Sequence, residues 1–385
     1  MRVLAVSHSY PRFDGDLAGA FLERLYEALT ARGHTVRVIA PADQGRGGEE
    51  RRRGIVVERV RYAAAARETL AYRGTMIRAL RSPAGLLAFR GLVRALAHAV
   101  RRRAGDADVV HANWWVPGGY AVWRARRAGA PPCVLTLHGT DAAILHRSWA
   151  ARQVARPVLR QAAAVTAVST FLAGIATRAG ACPSPVVLPM PVEVPGGPTP
   201  NPGGRGVVTV GRLTRQKRTY LVIEAIAALH ASGRPIGLTI VGDGPERPAL
   251  DRIVARLGLR EHVVFTGAVP PETVPGLLDG ADVFVFPARH EGFGLAVAEA
   301  LMAGVPVVVA ADGGGVLDIA RPGPGAEIVT GSVPGAWAAA IDRLAGNAAA
   351  GAAAAAAGAA WHERLRPAAV AERFEAVLEN VCRRA

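Results

Sequence analysis

The feature that most constrains this 385-residue chain is a pattern that runs twice. Short apolar runs alternate with helical stretches, stop at a Pro/Gly-rich segment, and begin again. Residues 1–6 read as a strand, too short for the apolar region of a signal peptide, and residues 7–19 as a polar loop. A helix pattern follows over 20–31, with Phe21, Leu22, Leu25, Ala28 and Leu29 at helical spacing. Gly33 closes it and 36–40 form the next strand. That is a βαβ unit, whose parallel pairing puts the first loop at the carboxyl edge of a sheet. Strands recur at 109–111, 133–137, 164–168 and 186–188, and the stretch 191–206 reads as a linker. The second series has strands at 207–210, 237–241, 263–265, 283–286 and 305–309. Each half is thus an α/β layer with a doubly wound parallel sheet, and the length exceeds what one core supports.

Composition narrows the partners. The formal net charge of +15 favours acidic ones. The cations are nearly all arginine; Lys217 is the sole lysine. Aromatics are only 5% of the chain, which argues against stacking on nucleic acid. Residues 51–103 are Arg-rich and mostly helical in pattern; the stretch 67–103 fits either an anionic membrane surface or an ordinary solvated helix face. Cys133, Cys182 and Cys382 are widely spaced and form no Cys-x-x-Cys pair, which suits a reduced, cytosolic setting, with the inner membrane face as a variant of it. No transmembrane helix is expected. The Ala-rich tract 347–359 and an amphipathic stretch 368–383 read as helices, with a surface position expected for either.

The chemistry concentrates at Glu291-Gly292-Phe293-Gly294-Leu295-Ala296-Val297-Ala298-Glu299, shortly after the strand 283–286. Glycines permit close backbone approach, and the N–H groups of a helix starting near Gly294 and Leu295 can receive a diphosphate. Glu299 can accept hydrogen bonds from ribose hydroxyls, and Glu291 can reach a sugar. Asp14-Gly15-Asp16 mimics a metal-binding Asp-x-Asp, but it sits in the first loop of a Rossmann-like pattern, and no metal site is expected. Neither half carries Gly-x-Gly-x-x-Gly in its first βα turn, so a nicotinamide enzyme is poorly supported.

The Glu-x7-Glu spacing resembles the signature of the retaining family 4 glycosyltransferases. Val210-Gly211-Arg212-Leu213-Thr214-Arg215-Gln216-Lys217 is similar to that family's Gly-Arg-Leu-x-x-x-Lys segment, and Thr136-Leu137-His138-Gly139-Thr140-Asp141 to its Thr-x-His-Gly-x-Asp segment. Further similar stretches are Val241–Pro245, 265–269 and 303–308; Asp243 and Pro306 are read as fold-forming. The resemblance implies that Arg212 and Lys217 bind the donor diphosphate, that the backbone near Val269 faces the base, and that His138 lies near the reacting centre. Phe293, Gly294 and Leu295 then belong to the donor site, and Gly15 and Gly19 of the first loop lie close to its phosphates. Asn113 and Trp114, in His111-Ala112-Asn113-Trp114, fall on the acceptor side with Asp141. The sequence departs from the pattern at Arg218, where relatives often have Gly, at Pro287-Ala288, at 189–193, and at Gly313-Gly314-Gly315 with Asp318.

The implied architecture is GT-B: two Rossmann-like doubly wound domains facing across a cleft, with an N-terminal acceptor-side domain at 1–195, a nucleotide-sugar domain at 200–360, and a final helix at 361–385 crossing back. The implied reaction is metal-independent transfer of a hexosyl unit from a UDP- or GDP-linked sugar, which is co-substrate and not cofactor. The acceptor is a glycan, a lipid-linked molecule or a small natural product. A nucleotide-sugar epimerase of the same fold and a non-catalytic nucleotide-sugar-binding protein are the competing readings. Nothing in the sequence fixes oligomeric state, donor base or acceptor.

Overall fold

A computed structural model describes residues 1–72, 76–192 and 203–384; residues 193–202 of the expected linker lie outside the described residues. Contacts divide the chain into two units, Met1–Pro191 with Leu365–Ala385, and Val192–Arg364.

The first unit is built on β1 (Arg2–Val6), β2 (Thr35–Pro41), β3 (Gly48–Arg52), β4 (Ile55–Val60), β5 (Val109–Asn113), β6 (Cys133–Leu137), β7 (Ala164–Ala167) and β8 (Val186–Val187). Their order across the sheet is β3-β4-β2-β1-β5-β6-β7-β8. All pairings are parallel except β3 with β4. β1 lies inside the sheet because Val3 to Val6 are apolar on both faces, each at most 2% exposed. The helix Ala20–Ala31 buries Leu22, Leu25, Tyr26 and Leu29 against the sheet.

One expectation fails here. The start of the Arg-rich segment is a β-hairpin, not a helix: Arg53 and Gly54 both have positive φ, the geometry of a two-residue turn. Alternation won over Arg content, since Ile55 and Val57 are fully buried while Arg59 pairs across the strands with Glu50 and Arg52 with Glu23 of the helix Ala20–Ala31. The helix proper is Pro83–Arg103, started by a Ser82 cap on the Gly85 N–H at 3.1 Å and a proline in its first turn. Arg103 in its last turn pairs with Glu58 at 2.8 Å, and Arg102 pairs with the same carboxylate.

The final helix, Pro367–Arg384, belongs to this first unit. Its buried face (Val370, Ala371, Phe374, Leu378, Val381) packs on Ala20–Ala31, and Glu375 receives Arg32 at 2.6 Å and His34 at 2.8 Å.

The second unit has β9 (Val207–Val210), β10 (Leu238–Val241), β11 (Val263–Gly267), β12 (Val283–Phe286), β13 (Val307–Ala310) and β14 (Ala326–Val329), all parallel, in the order β11-β10-β9-β12-β13-β14. Strand β14 is additional to the sequence pattern; Glu327 and its Pro/Gly flank mask it. The Ala-rich tract forms the helix Ala348–Leu365, and it too is packed, not peripheral. Ala350 and Ala354 are fully buried, and a Cβ on Gly358 would fall 2.0 Å from the Leu301 carbonyl. Small residues are what let this helix lie directly on Leu295–Met302.

Phe374 is fully buried, with its ring 4.5 Å from that of His111. Phe374→Ala should therefore cost about 3–5 kcal/mol. Urea unfolding should show that loss in the transition of the first unit and leave the transition of the second in place.

Candidate active site

In the second sheet, winding reverses at β9: β10 and β11 lie on one side of it, β12 to β14 on the other. Loops leaving the carboxyl ends of β9 and β12 must then part, and a crevice opens between them. The two charged residues singled out in the sequence meet there. Lys217 Nζ donates to Glu291 Oε2 at 2.8 Å, with both side chains about four-fifths buried (20% and 23% exposed). The ammonium also lies 4.5 Å from the centroid of the Phe286 ring, which orients the stem. Arg212, on the same loop, is exposed and makes no side-chain hydrogen bond or ion pair among the described residues.

The Glu291 backbone is held on both sides. Its N–H donates to the Gly313 carbonyl and its own carbonyl accepts from Gly315, each at 2.8 Å. Gly314 has φ 74°, and a Cβ there would stand 2.8 Å from the Glu291 oxygen, so glycine is required. Arg218 is not a phosphate ligand in this arrangement. It is 7% exposed, adopts φ 50°, and turns inward to donate to the Pro287 carbonyl at 2.7 Å and to Asp312 at 2.5 Å. Burial alone would raise the pKa of Asp312, but Arg218 and Arg289 (2.9 Å) outweigh it and hold the carboxyl below its ordinary range. Asp312 thus ties the β9, β12 and β13 loops together, a role that only the fold reveals.

The helix Leu295–Met302 begins at Gly294, φ 93°, with no side-chain cap. The Val297 N–H is taken by the Gly294 carbonyl at 2.9 Å, and no side chain caps the N–H groups of Leu295 and Ala296 ahead of it. Leu295 is partly exposed there, whereas Phe293 is not a surface residue. Phe293 is 6% exposed, and its ring meets that of Trp361 edge-on at 6.0 Å. Glu299 is half-buried one turn along. Val269 lies in the loop after edge strand β11, half-buried. The Gly242-x-Gly244 pair serves packing: Cβ atoms there would come within 2.1 and 2.4 Å of the Gly211 and Leu213 carbonyls.

The first sheet reverses at β1, and the loops after β1 and β5 part in the same way. His8 and Trp114 meet at 4.4 Å between ring centroids, and Trp114 meets His138, from the loop after β6, at 4.3 Å. Phe21 closes on His138 at 5.1 Å. The sequence offers no site signal for His8 beyond its place just after β1, and it shows Phe21 only as a helix position. Asn113 is fully buried and works behind this cluster. Its Nδ2 donates to the Val6 carbonyl (3.4 Å) and to Tyr26 Oη (2.8 Å), which leaves Oδ1 to accept from His138 Nε2 at 2.9 Å. His138 is thereby fixed as the Nε2–H tautomer. Asp141 is 2% exposed, its carboxylate accepting from the N–H groups of Trp115, His138 and Gly139 at 3.1–3.3 Å. Burial raises its pKa despite those bonds. Asn113 and Asp141 thus hold the ring and backbone of His138 in place.

In the first loop, Gly19 has φ 81° and a Cβ there would strike the Ser9 carbonyl at 2.3 Å, while Gly15, φ 85°, stands open. Asp16 is taken by Arg12 at 2.7 Å and Asp14 by Arg52 at 3.0 Å. Those carboxylates are committed to arginines.

Two family models match this geometry in turn: "Glycosyl transferase 4-like domain" over residues 18–191 and "Glycosyl transferases group 1" over residues 198–360. This chain belongs to the family 4 glycosyltransferases. It is 32% identical over 295 residues to a D-inositol 3-phosphate glycosyltransferase of Gordonia bronchialis, covering 68% of this chain and 63% of that one. It is 34% identical over 217 residues to a GDP-mannose-dependent alpha-(1-6)-phosphatidylinositol monomannoside mannosyltransferase of Mycolicibacterium smegmatis, covering 49% and 55%. The matches thus span between half and two thirds of these relatives' length. A sucrose-phosphate synthase structure from Thermosynechococcus elongatus superposes with a TM-score of 0.81 at 21% identity, over 100% of both chains. The fold is GT-B. Among the described residues, no helix is long and apolar enough to cross a membrane.

In this family member, burial lowers His8 to about 4 and His111 to about 3 from 6.5. Burial, with His111 and His8 nearby, lowers His138 too. A depressed folded value means full stability above pH 6.5, lost as pH falls and the unfolded chain takes up protons first. Each histidine should then cost about 1.4 kcal/mol per pH unit below that point. Unfolding free energy of the first unit, followed by urea titration at successive pH values, should fall with a slope near three protons. His8→Gln should remove about one of them, and a flat profile down to about pH 4 would contradict the burial of these rings.

Proposed function

We propose that the chain transfers a hexosyl unit from a nucleoside diphosphate sugar to an acceptor hydroxyl, with retention at the anomeric carbon. The observation that carries this is the Lys217–Glu291 pair at the β9/β12 crevice, beside the uncapped helix start at Gly294. In the reaction the bond from the anomeric carbon to the diphosphate oxygen breaks, and the bond to the acceptor oxygen forms. The acceptor hydroxyl proton leaves with the diphosphate. Negative charge therefore grows on the leaving oxygen, and Lys217, Arg212 and the N–H groups following Gly294 are the donors that meet it. A compact ammonium suits that task, in a chain whose other cations are arginines. No metal is required for it.

Glu291, released from Lys217 when phosphate takes the ammonium, is free to bind sugar hydroxyls. Glu299 serves the ribose and the backbone near Val269 the base. On the acceptor side, His138 presents a neutral ring whose Nδ1 is the remaining acceptor atom. The Mycolicibacterium relative is named for a GDP-mannose donor, and both UDP- and GDP-linked hexoses suit this site chemistry.

A metal-free thermal-shift panel of UDP, GDP, ADP, dTDP and their sugars tests the reading. A nucleotide at about 100 times its dissociation constant should stabilise the fold by about 2.7 kcal/mol. Lys217→Ala should abolish the shift while leaving the unliganded melting temperature nearly unchanged. Proton NMR of the product should show the donor's anomeric configuration. Conversion of the nucleotide sugar without any acceptor would replace the transferase reading with an epimerase. Binding without turnover would leave a nucleotide-sugar-binding protein.

A further inference from the structure

A doubly wound sheet has two helical faces, and in the first unit the two differ in charge. Right-handed crossovers that step from β1 to β2 and from β4 to β5 lay their helices on opposite sides of the sheet. On one side Ala20–Ala31 packs against Pro367–Arg384. On the other, Pro83–Arg103 packs against Tyr120–Ala125, which packs in turn against Trp149–Gln161. The helices Thr140–Arg147 and Thr170–Arg178 complete that second layer.

The first layer is mixed in sign: its two helices carry five glutamates and four arginines. The five helices of the second carry eleven arginines and one carboxylate, Asp141, which is 2% exposed. Arg102 and Arg103 pair with Glu58 of β4. Arg90, Arg94, Arg147, Arg156 and Arg160 are exposed, and no acid on these helices faces water with them.

The large apolar side chains that face water follow the same division. Leu86 (49% exposed), Leu87 (66%), Trp149 (68%) and Val154 (50%) all belong to the basic layer, and the helices of the mixed layer expose none. Leu86 and Leu87 lie in the first turn of Pro83–Arg103, and Trp149 opens Trp149–Gln161. Phe89 and Arg90 of the one helix and Ala150 and Val154 of the other line a single opening, which brings the two helix starts together. A soluble polyanion would meet the guanidinium groups and leave the four apolar side chains in water. Hydrocarbon beneath an anionic surface takes both.

We propose that this helical layer is a docking surface for an anionic lipid bilayer. Leu86, Leu87, Trp149 and Val154 enter the boundary between headgroups and acyl chains, and the arginines around them meet lipid phosphates. No helix among the described residues is long and apolar enough to cross a membrane, so the contact is interfacial. The proposal does not rest on the transferase reading and assigns no acceptor.

The test sediments the full-length protein with vesicles of phosphatidylcholine alone, or of phosphatidylcholine with about one third phosphatidylglycerol, at about 0.1 M and about 0.5 M salt. Binding to the anionic vesicles is expected at the lower salt, roughly tenfold or more tighter than to the neutral ones, and weaker at the higher salt. Arg147→Glu with Arg156→Glu should weaken it by roughly tenfold or more, and Leu87→Glu with Trp149→Glu by as much. Of the chain's six tryptophans only Trp149 is exposed. Lipids brominated on the acyl chain should therefore quench emission in the parent protein and much less in Trp149→Phe. Equal binding to both kinds of vesicle, or binding to neither, would overturn the proposal. So would binding to anionic vesicles that ignores Leu87→Glu with Trp149→Glu; full competition by polyglutamate would then assign the layer to a soluble acidic partner. Every substituted side chain is exposed, so the variants should keep the parent melting temperature, and the two kinds of vesicle decide with the unaltered protein alone. The thermal-shift panel contains no lipid, so failure here leaves the transferase reading standing.

Discussion

A parallel sheet that winds outward in both directions from an inner strand leaves its loops nowhere to close over the reversal. That constraint, applied at β1 and again at β9, places every reactive group described above. The loops of the neighbouring strands diverge at the carboxyl end of the reversal strand. At β9 the opening receives Lys217 and Glu291; at β1 it receives His8, Trp114 and His138. Neither set is adjacent in sequence: 74 residues separate the members of the ion pair.

Openings alone would give mobile groups. What holds these groups in place is backbone drawn closer than side chains allow. Gly242 and Gly244 bring the β10 loop against the β9 loop, Gly314 brings the β13 loop against Glu291, and Arg218 with Asp312 locks those loops from beneath. Arg218 adopts a backbone conformation that favours glycine, at a cost of order 1–3 kcal/mol. Its three donated hydrogen bonds to Pro287 and Asp312 offset that strain. A left-handed turn at this position is thus held by an arginine clamp.

Legibility in the sequence follows the range of the forces involved. β9, β12 and the helix at 295–302 were readable because β-branched runs and glycine punctuation act locally. The hairpin at β3 and β4 was obscured by arginines whose partners, Glu23 and Glu50 among them, are known only after pairing. The contact of the Phe293 ring with Trp361 of the Ala-rich helix had no signal in the sequence, because the two are distant in the chain. Low complexity in that tract suggested a surface; the helix is small-sided because it must lie on Leu301. Asp312 and His8 carry no local pattern at all, and their roles exist only through residues distant in the chain.

The two openings also differ in electrostatic character, and the difference follows from hydrogen-bond direction. At β9 an ammonium and a carboxylate face each other, both partly exposed. At β1 everything is neutral and directional. The Val6 carbonyl can only accept, so Asn113 must offer it Nδ2 and turn Oδ1 to His138. Tyr26, accepting from Asn113, donates to His111 Nδ1, and His111 Nε2 then donates to Thr136 at 2.7 Å. One backbone carbonyl therefore sets the tautomers of two histidines. A charged His138 would bring a second N–H to a covered Nδ1 that has no partner, so burial and the network act in the same direction to keep the ring neutral.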